Sequence, residues 1–422
     1  MASGLKLGCI ADDFTGATDL ANNLVRSGMR AVQTIGVPAG PLEVAADAVV
    51  VALKTRTTPP SEAVQQSLAA LSWLQAQGAR QIYFKYCSTF DSTAEGNIGP
   101  VTEALMKALG TDFTIATPAF PDNQRTVFKG YLFVGDMLLS ESGMRDHPLT
   151  PMTDSNLVRV LQAQCHRKVG LIDYHTVAAG PDAIARRINE LRGQGVSIAV
   201  VDALSNDDLL RLGPALKNLP LVTAGSGVAI GLPANFGIGA SEGASRLPSG
   251  LGARAVVAGS CSQATNRQVR AFMQAGGPAL MIDPLRLAAG ENLVAEALAW
   301  AGPLLAKGPL LVYSTAEPND VKSVQGRLGV EQAGAMVERA IAAIARGLVD
   351  LGVRQLVVAG GETSGACVQA LGVRQLQIGP QIDPGVPWCW GRDGAGHHLH
   401  MALKSGNFGA EDFFSKAFTL LK

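Results

Sequence analysis

Short β-branched runs that end in Gly, Asp, Ser or Pro alternate along this chain with longer segments of helical apolar spacing, a rhythm that parallel βαβ units accommodate best. The first half carries strand-like runs at Leu5–Ile10, Ala31–Ile35, Ala48–Leu53, Gln81–Lys85, Phe113–Ala116, Val169–Ile172, Ile198–Val201 and Leu221–Thr223. Between them Ala17–Arg26, Ser61–Gln77, Ile98–Leu109, Pro181–Arg192 and Asn206–Leu212 place apolar residues three and four apart, the stripe a helix turns toward a sheet. At Pro233–Arg254 the rhythm stops: Gly, Ala, Ser and Pro fill 14 of 22 positions, and a linker is expected there. It then restarts, with strands at Ala255–Ala258, Ala279–Ile282, Leu310–Tyr313, Gln355–Ala359 and Leu376–Ile378 among helices at Thr265–Gln274, Leu293–Leu305, Gln332–Leu351 and Ser364–Leu371. Trp388–Gly391 and His398–Leu403 read as a hairpin across the turn Arg392–Gly394. The expected fold class is α/β in two domains, each a mainly parallel sheet flanked by helices: residues 1–232 and 255–422, joined by 233–254.

Composition narrows the function classes. Lys and Arg number 35 and Asp and Glu 35, so no net field draws the 422-residue chain to nucleic acid or to an anionic membrane. The start, MASGLKLGCIADDF, has no apolar core behind a charged end, and apolar stretches such as Ala297–Leu305 stop well short of the roughly 18 residues a spanning helix needs. Six cysteines without a C-x-x-C pair argue against a disulfide framework and a structural zinc. The expectation is a cytoplasmic protein with no nucleic-acid or membrane partner, and a symmetric homodimer is the default assembly.

In open parallel sheets ligands bind beyond the carboxyl ends of the strands, so the residues that follow each run carry the functional reading. After the first comes Asp12-Asp13-Phe14-Thr15-Gly16: two carboxylates suit sugar hydroxyls or a proton transfer and would repel a pyrophosphate, and helix capping is the plain alternative. After the fourth, Lys85 leads Tyr86-Cys87-Ser88-Thr89-Phe90-Asp91, a cation, hydroxyls and an acid able to hold a small polyhydroxylated acid. Thr117–Asp154, with four prolines, is too long for a plain connection and is expected to fold over a site; Arg125 within it could pair a carboxylate, though most surface arginines do not. In the second half Gly259-Ser260-Cys261-Ser262 and Gly360-Gly361-Glu362-Thr363-Ser364-Gly365 follow strands, and such loops suit phosphate at a helix start, although the P-loop pattern is absent. Gly225-Ser226-Gly227-Val228-Ala229-Ile230-Gly231 misses G-x-G-x-x-G by one residue, and His397, His398 and His400 read as packing residues rather than a metal site.

Taken together, IADDFTGATD, FKYCSTFDSTAEGNIGPV, the segment from Pro118 to Met152 and VVAGGETSG resemble the four-carbon acid sugar kinase family, and the resemblance runs from Ile10 to beyond Gly406. It implies a phosphotransferase that moves the γ-phosphate of ATP to the terminal hydroxyl of a small-molecule four-carbon acid sugar, a 3-oxo acid in the first instance, with D-threonate, L-threonate or D-erythronate as alternatives. Residues 1–232 would hold the acid and 255–422 the nucleotide. Carried over by position, Ser260, Gly360, Gly361, Glu362, Thr363 and Gly406 contact ATP, while Asp12, Asp13, Lys85, Ser88 and Arg125 face the acid sugar. Phosphoryl transfer asks for Mg²⁺ on the phosphates and a carboxylate at the reacting hydroxyl; no metal ligand is assigned, Asp13 is expected to take the proton and Asp12 is its rival. Outside the kinases two readings stand: a sugar-acid dehydrogenase using the near-miss glycine loop, and a sugar-acid binding protein.

Overall fold

Val49, Val50 and Val51 lie in the strand Ala48–Ala52, every residue of which is buried, because a strand covered on both faces has no polar face to alternate with. The same logic shapes most of the chain in the computed structural model, which describes residues 4–421 apart from 43, 148 and 315–329. The chain divides into two units, Met1–Ser245 and Arg246–Lys422.

In the first unit the strands are β1 (Leu7–Ala11), β2 (Ala31–Ile35), β3 (Ala48–Ala52), β4 (Gln81–Lys85), β5 (Thr114–Thr117), β6 (Arg125–Phe128), β7 (Tyr131–Val134), β8 (Met137–Leu138), β9 (Lys168–Ile172), β10 (Val196–Val201) and β11 (Leu221–Ala224). Eight of them form a parallel sheet in the order β2-β3-β1-β4-β11-β5-β10-β9. Because β3 and β4 flank β1 on opposite sides, the chain reverses its march across the sheet there, which is where an α/β sheet opens a crevice. The register is level, with Ala11 opposite both Ala52 and Lys85, so the exits of β3, β1 and β4 lie side by side. The first helix begins at Phe14 rather than Ala17, since Asp13 caps it by accepting from the Gly16 amide.

The long segment after β5 is not irregular: β6, β7 and β8 make a separate antiparallel sheet. Asp202, at the exit of β10, ties it down by accepting from the amides of Lys129 (2.7 Å), Gly130 (2.8 Å) and Tyr174 (2.9 Å). Three such bonds satisfy a buried carboxylate that would otherwise be costly to hold.

The second unit contains β12 (Ala253–Ala258), β13 (Ala279–Met281), β14 (Leu310–Tyr313), β15 (Val353–Ala359), β16 (Gln375–Asp383), β17 (Val386–Arg392) and β18 (His398–Lys404), in the order β13-β14-β12-β15-β18-β17-β16. The first five positions pair in parallel, and β17 runs antiparallel to both neighbours. The expected hairpin is therefore β17 with β18, and the run expected at Leu376–Ile378 extends to nine residues because β17 also pairs with it. Trp388 anchors the core, fully buried against Phe418 with its indole N–H donated to the Ala417 carbonyl (2.9 Å). The residues expected as a linker hold short 3₁₀ turns at Pro233–Phe236 and Glu242–Ser245, and β12 already starts at Ala253. Among the described residues no helix is long and apolar enough to cross a membrane.

Candidate functional site

The exits of β3, β1, β4 and β11 deliver most of the charged and hydroxyl side chains of the first unit's crevice. Asp12 and Asp13 follow β1, Lys85 ends β4, and Arg56, four residues past β3, closes on all three. Arg56 grips Asp12 with two bonds, Nε to Oδ2 (2.8 Å) and Nη2 to Oδ1 (3.0 Å), and Nη2 also lies 2.8 Å from Asp13 Oδ1. Lys85 Nζ stands 3.1 Å from Asp13 Oδ1 and 3.7 Å from Asp12 Oδ1, and Asp91 Oδ2 is 3.8 Å from Arg56 Nη1. Asn97 fixes the loop that carries Arg56 by donating to the carbonyls of Thr55 (2.7 Å), Arg56 (3.3 Å) and Thr58 (2.9 Å).

The two adjacent carboxyls differ. Burial pushes the Asp13 carboxyl up, but Arg56 and Lys85 beside it outweigh burial and hold it far below the usual carboxylate range. Burial dominates at Asp12, which stays above its ordinary value despite the same two cations. Asp13 also has both oxygens engaged: Oδ2 accepts from the Thr15 hydroxyl (2.9 Å) and the Gly16 amide (3.2 Å), while Oδ1 faces Lys85 and Arg56.

Ser88 lies half-buried in the loop after β4, which also bends through Phe90 at φ +53°, an unusual conformation for a bulky residue, with its ring edge-on to Tyr86. Arg125 opens β6 and donates Nη1 to the Asn123 carbonyl, while its Nε and the Asn123 side-chain amide are buried without a partner. Burial pushes the Arg125 guanidinium down, an effect the carboxylates of Asp91 and Asp19 oppose. A pair of unmet buried donors is what an incoming carboxylate or hydroxyl oxygen would satisfy.

The near-miss glycine loop after β11 has a different use. A Cβ on Gly225 would stand 2.9 Å from the Pro118 carbonyl oxygen and one on Gly227 2.3 Å from that of Ala119, so both glycines let the exits of β11 and β5 pass each other. Ser226 between them donates to Asp19 Oδ2 (2.5 Å). Arg56, Asn97 and Asp19 are absent from the residues expected from the sequence, while Asp91 is expected there only as the acid of the loop after β4 and Ser226 only as part of the near-miss glycine loop; of the three absent residues Arg56 carries a usable signal, as a cation just past a strand.

In the second unit the residues expected to meet nucleotide do converge, at the adjacent exits of β12, β15 and β18. A Cβ on Gly406 would fall 2.4 Å from Ser260 Oγ, and one on Gly360 2.7 Å from Thr363 Oγ1 and 3.3 Å from the Ser260 amide. Gly360 takes φ +126° and precedes the helix Gly361–Leu371, which no side chain caps, so its first amides are the kind that receive an anion. The Gly406 carbonyl accepts from Ser262 Oγ (2.5 Å), Thr265 Oγ1 (2.9 Å) and Lys404 Nζ (3.0 Å), which fixes the third wall of this cradle. A cavity of about 570 Å³ near Gly252, Arg254, Lys307 and Leu351 lies at the opposite, amino-terminal ends of β12 and β14. The histidines of β18 and its turn are occupied: His400 with the Pro248 carbonyl, His397 with Asp393, and His398 stacked on Trp390. Among the described residues no three His, Cys, Asp or Glu side chains group to hold a metal ion.

Two family models match the chain, a sugar-binding N-terminal domain over residues 7–232 and a nucleotide-binding C-terminal domain over residues 255–414. A protein of Pseudomonas fluorescens named 3-oxo-tetronate kinase is 62% identical over 418 residues, 97% of this chain and 96% of that one. One of the same name from Burkholderia multivorans is 61% identical over 424 residues, 100% of this chain and 98% of that one. Among solved structures, a Salmonella typhimurium LT2 protein provisionally described as a tRNA synthase superposes with a TM-score of 0.88 at 47% identity, covering 99% of this chain and all of that one. Haemophilus influenzae protein HI1011 gives 0.80 at 44% identity, covering 98% of this chain and all of that one.

Proposed function

The chain belongs to the four-carbon acid sugar kinase family, and we propose that it transfers the γ-phosphate of ATP to the 4-hydroxyl of 3-oxo-tetronate, giving 3-oxo-tetronate 4-phosphate. The observation that carries this reading is the meeting of Arg56 and Lys85 with Asp12 and Asp13 at adjacent strand exits, in the half of the chain that matches the sugar-binding model. Residues 1–232 then serve the acid, residues 255–422 the nucleotide, and 233–254 join them.

In this reading the acid's carboxylate and hydroxyls take the open donors of Arg125 and Asn123 and the hydroxyl of Ser88. Asp12 and Asp13 act as counter-charges that hold Arg56 and Lys85 in place; with both its oxygens engaged, Asp13 is poorly arranged to take up a proton. The phosphates of ATP lie in the cradle of Ser260, Gly360, Gly361, Glu362, Thr363 and Gly406, where a side chain at either Gly360 or Gly406 would intrude. Mg²⁺, when bound, neutralises charge on the β- and γ-phosphates. It would be held chiefly by phosphate oxygens and water and so would require no three-acid cage, and Glu362 in the first turn of the helix Gly361–Leu371 is the carboxylate that would reach it.

The test is ADP release by the purified protein with ATP and Mg²⁺ across 3-oxo-tetronate, D- and L-threonate and D-erythronate. Selective turnover of the 3-oxo acid is expected; turnover of a hydroxy acid alone would change the substrate, and stoichiometric binding without ADP would replace the kinase with a binding protein. Gly360→Ala separates the binding of the two substrates. Forcing a Cβ into a positive-φ position that already touches Thr363 should raise the KM for ATP at least about tenfold and leave that for the acid within about twofold. Equal rises in both would remove Gly360 from the nucleotide cradle.

A further inference from the structure

Asp19 is buried on the helix that follows β1, one turn beyond Gly16, where a Cβ would stand 1.7 Å from Lys85 Nζ and 2.1 Å from Asp13 Oδ1. Residues three apart share a helix face, so Asp19 lies on the side that looks onto those charges. Its two oxygens have unlike surroundings. Oδ2 accepts the Ser226 hydroxyl at 2.5 Å, and Ser226 is itself fixed through its carbonyl by the Asn23 side-chain amide (3.0 Å). Oδ1 is buried with no partner. The titratable and charged groups that act on it are Lys85 and Asp13 at the strand exits, the buried Tyr83 of β4, Arg26 on its own helix and Arg125 from β6, whose Nε is also unmet.

One oxygen fixed by a donor and the other left without a partner is the arrangement a proton acceptor needs, and neither Asp12, clamped by Arg56, nor Asp13 has it. We propose that Asp19, oriented by Ser226, accepts the proton of the substrate's reacting hydroxyl. This rests on the kinase reading above. As the hydroxyl oxygen forms its bond to the γ-phosphorus of ATP, the bond from that phosphorus to the β-phosphate oxygen breaks and ADP leaves with the electron pair. The hydroxyl O–H bond breaks in the same step and the proton passes to Asp19 Oδ1, from which solvent removes it after release. Burial, partly offset by the Ser226 bond, pushes the Asp19 carboxyl up to about 7, so near neutral pH it is a better base than an ordinary aspartate.

Asp19→Asn should lower kcat at least about a hundredfold while the dissociation constant of the acid, measured by calorimetry, stays within about threefold. The second variant reads the base itself. In the wild type kcat/KM for the acid should fall on the acidic side with a midpoint near 7, and Ser226→Ala, by removing a donor to the carboxylate, should move that limb to higher pH by about one unit. Asp19→Asn keeping more than a third of wild-type kcat, or an unmoved limb in Ser226→Ala, overturns the proposal. If Asp19→Asn does not unfold cooperatively, the Ser226→Ala limb decides alone. ADP release by the wild type separates the two readings: none with any acid overturns the kinase reading and this one together, whereas wild-type turnover beside an active Asp19→Asn overturns only this one.

Discussion

Arg56→Ala is expected to lower turnover at least about a hundredfold and to destabilise the protein by about 3 kcal/mol. The reason lies in what it leaves behind. Asp12 is almost fully buried, and without the guanidinium its nearest cation is Lys85 Nζ at 3.7 Å, already shared with Asp13. Breaking a buried pair by removing one partner is costly because the other charge stays behind uncompensated. Arg56 retains some exposure, so the figure sits at the low end of the range for a buried pair. Arg56→Lys should recover only part of the loss, since one ammonium cannot make the two-pronged contact with Asp12 and reach Asp13 as well. Denaturant unfolding and ADP release on both variants check this. A variant Arg56→Ala within threefold of wild-type turnover would mean that the carboxylates do not depend on it.

Arg56 also marks the limit of what the residues alone disclose. Asp12, Asp13 and Lys85 are legible because each stands right at the end of a short β-branched run, and parallel sheets bind ligands there. Arg56 stands four residues past β3 and becomes part of the site only because β3 lies next to β1. Sheet order is a tertiary fact that no local pattern encodes. The same holds for Asp19 and Ser226, whose contact joins two ends of the first unit, and the glycines around Ser226 imitate a cofactor motif while serving close passage past Pro118 and Ala119. The β6–β7 hairpin escaped for a local reason. Its turn is Lys129-Gly130, both at positive φ (+53° and +77°), the geometry of a two-residue hairpin turn, but lysine stands where asparagine or aspartate gives the usual signal. In the second unit the glycine-rich loops after β12 and β15 were readable by type, and Gly406 came through the family resemblance. What the residues did not disclose is the cation beneath them.

That cation is Lys404, and replacing it should change the pH dependence of both stability and nucleotide binding. Its side chain is fully buried at the end of β18, with Nζ donating to Thr265 Oγ1, the Ser405 carbonyl and the Gly406 carbonyl, each at 3.0 Å. No carboxylate pairs with it among the described residues, and burial pushes its ammonium down to about 7. Below that value the lysine is protonated in both the folded and the unfolded chain and adds no slope. Between about 7 and its ordinary 10.5 the unfolded chain holds a proton that the folded one has released, so stability rises with pH, by up to about 1.4 kcal/mol per unit. Lys404→Met should abolish that slope. The proton matters to ATP as well, because an ammonium supplies three donors and an amine two, so above about 7 one bond to the Gly406 loop is unmade. Phosphates nearby favour the charged form, and ATP should bind with proton uptake, its affinity weakening from about pH 7 to 9 by at most about tenfold per unit. In Lys404→Met the affinity should be lower at pH 7 and nearly flat above it. Calorimetric ATP titrations in two buffers of different ionisation heat, with unfolding midpoints at three pH values, test both halves; parallel pH curves for wild type and variant would show that Lys404 holds its proton throughout and acts only as a fixed strut.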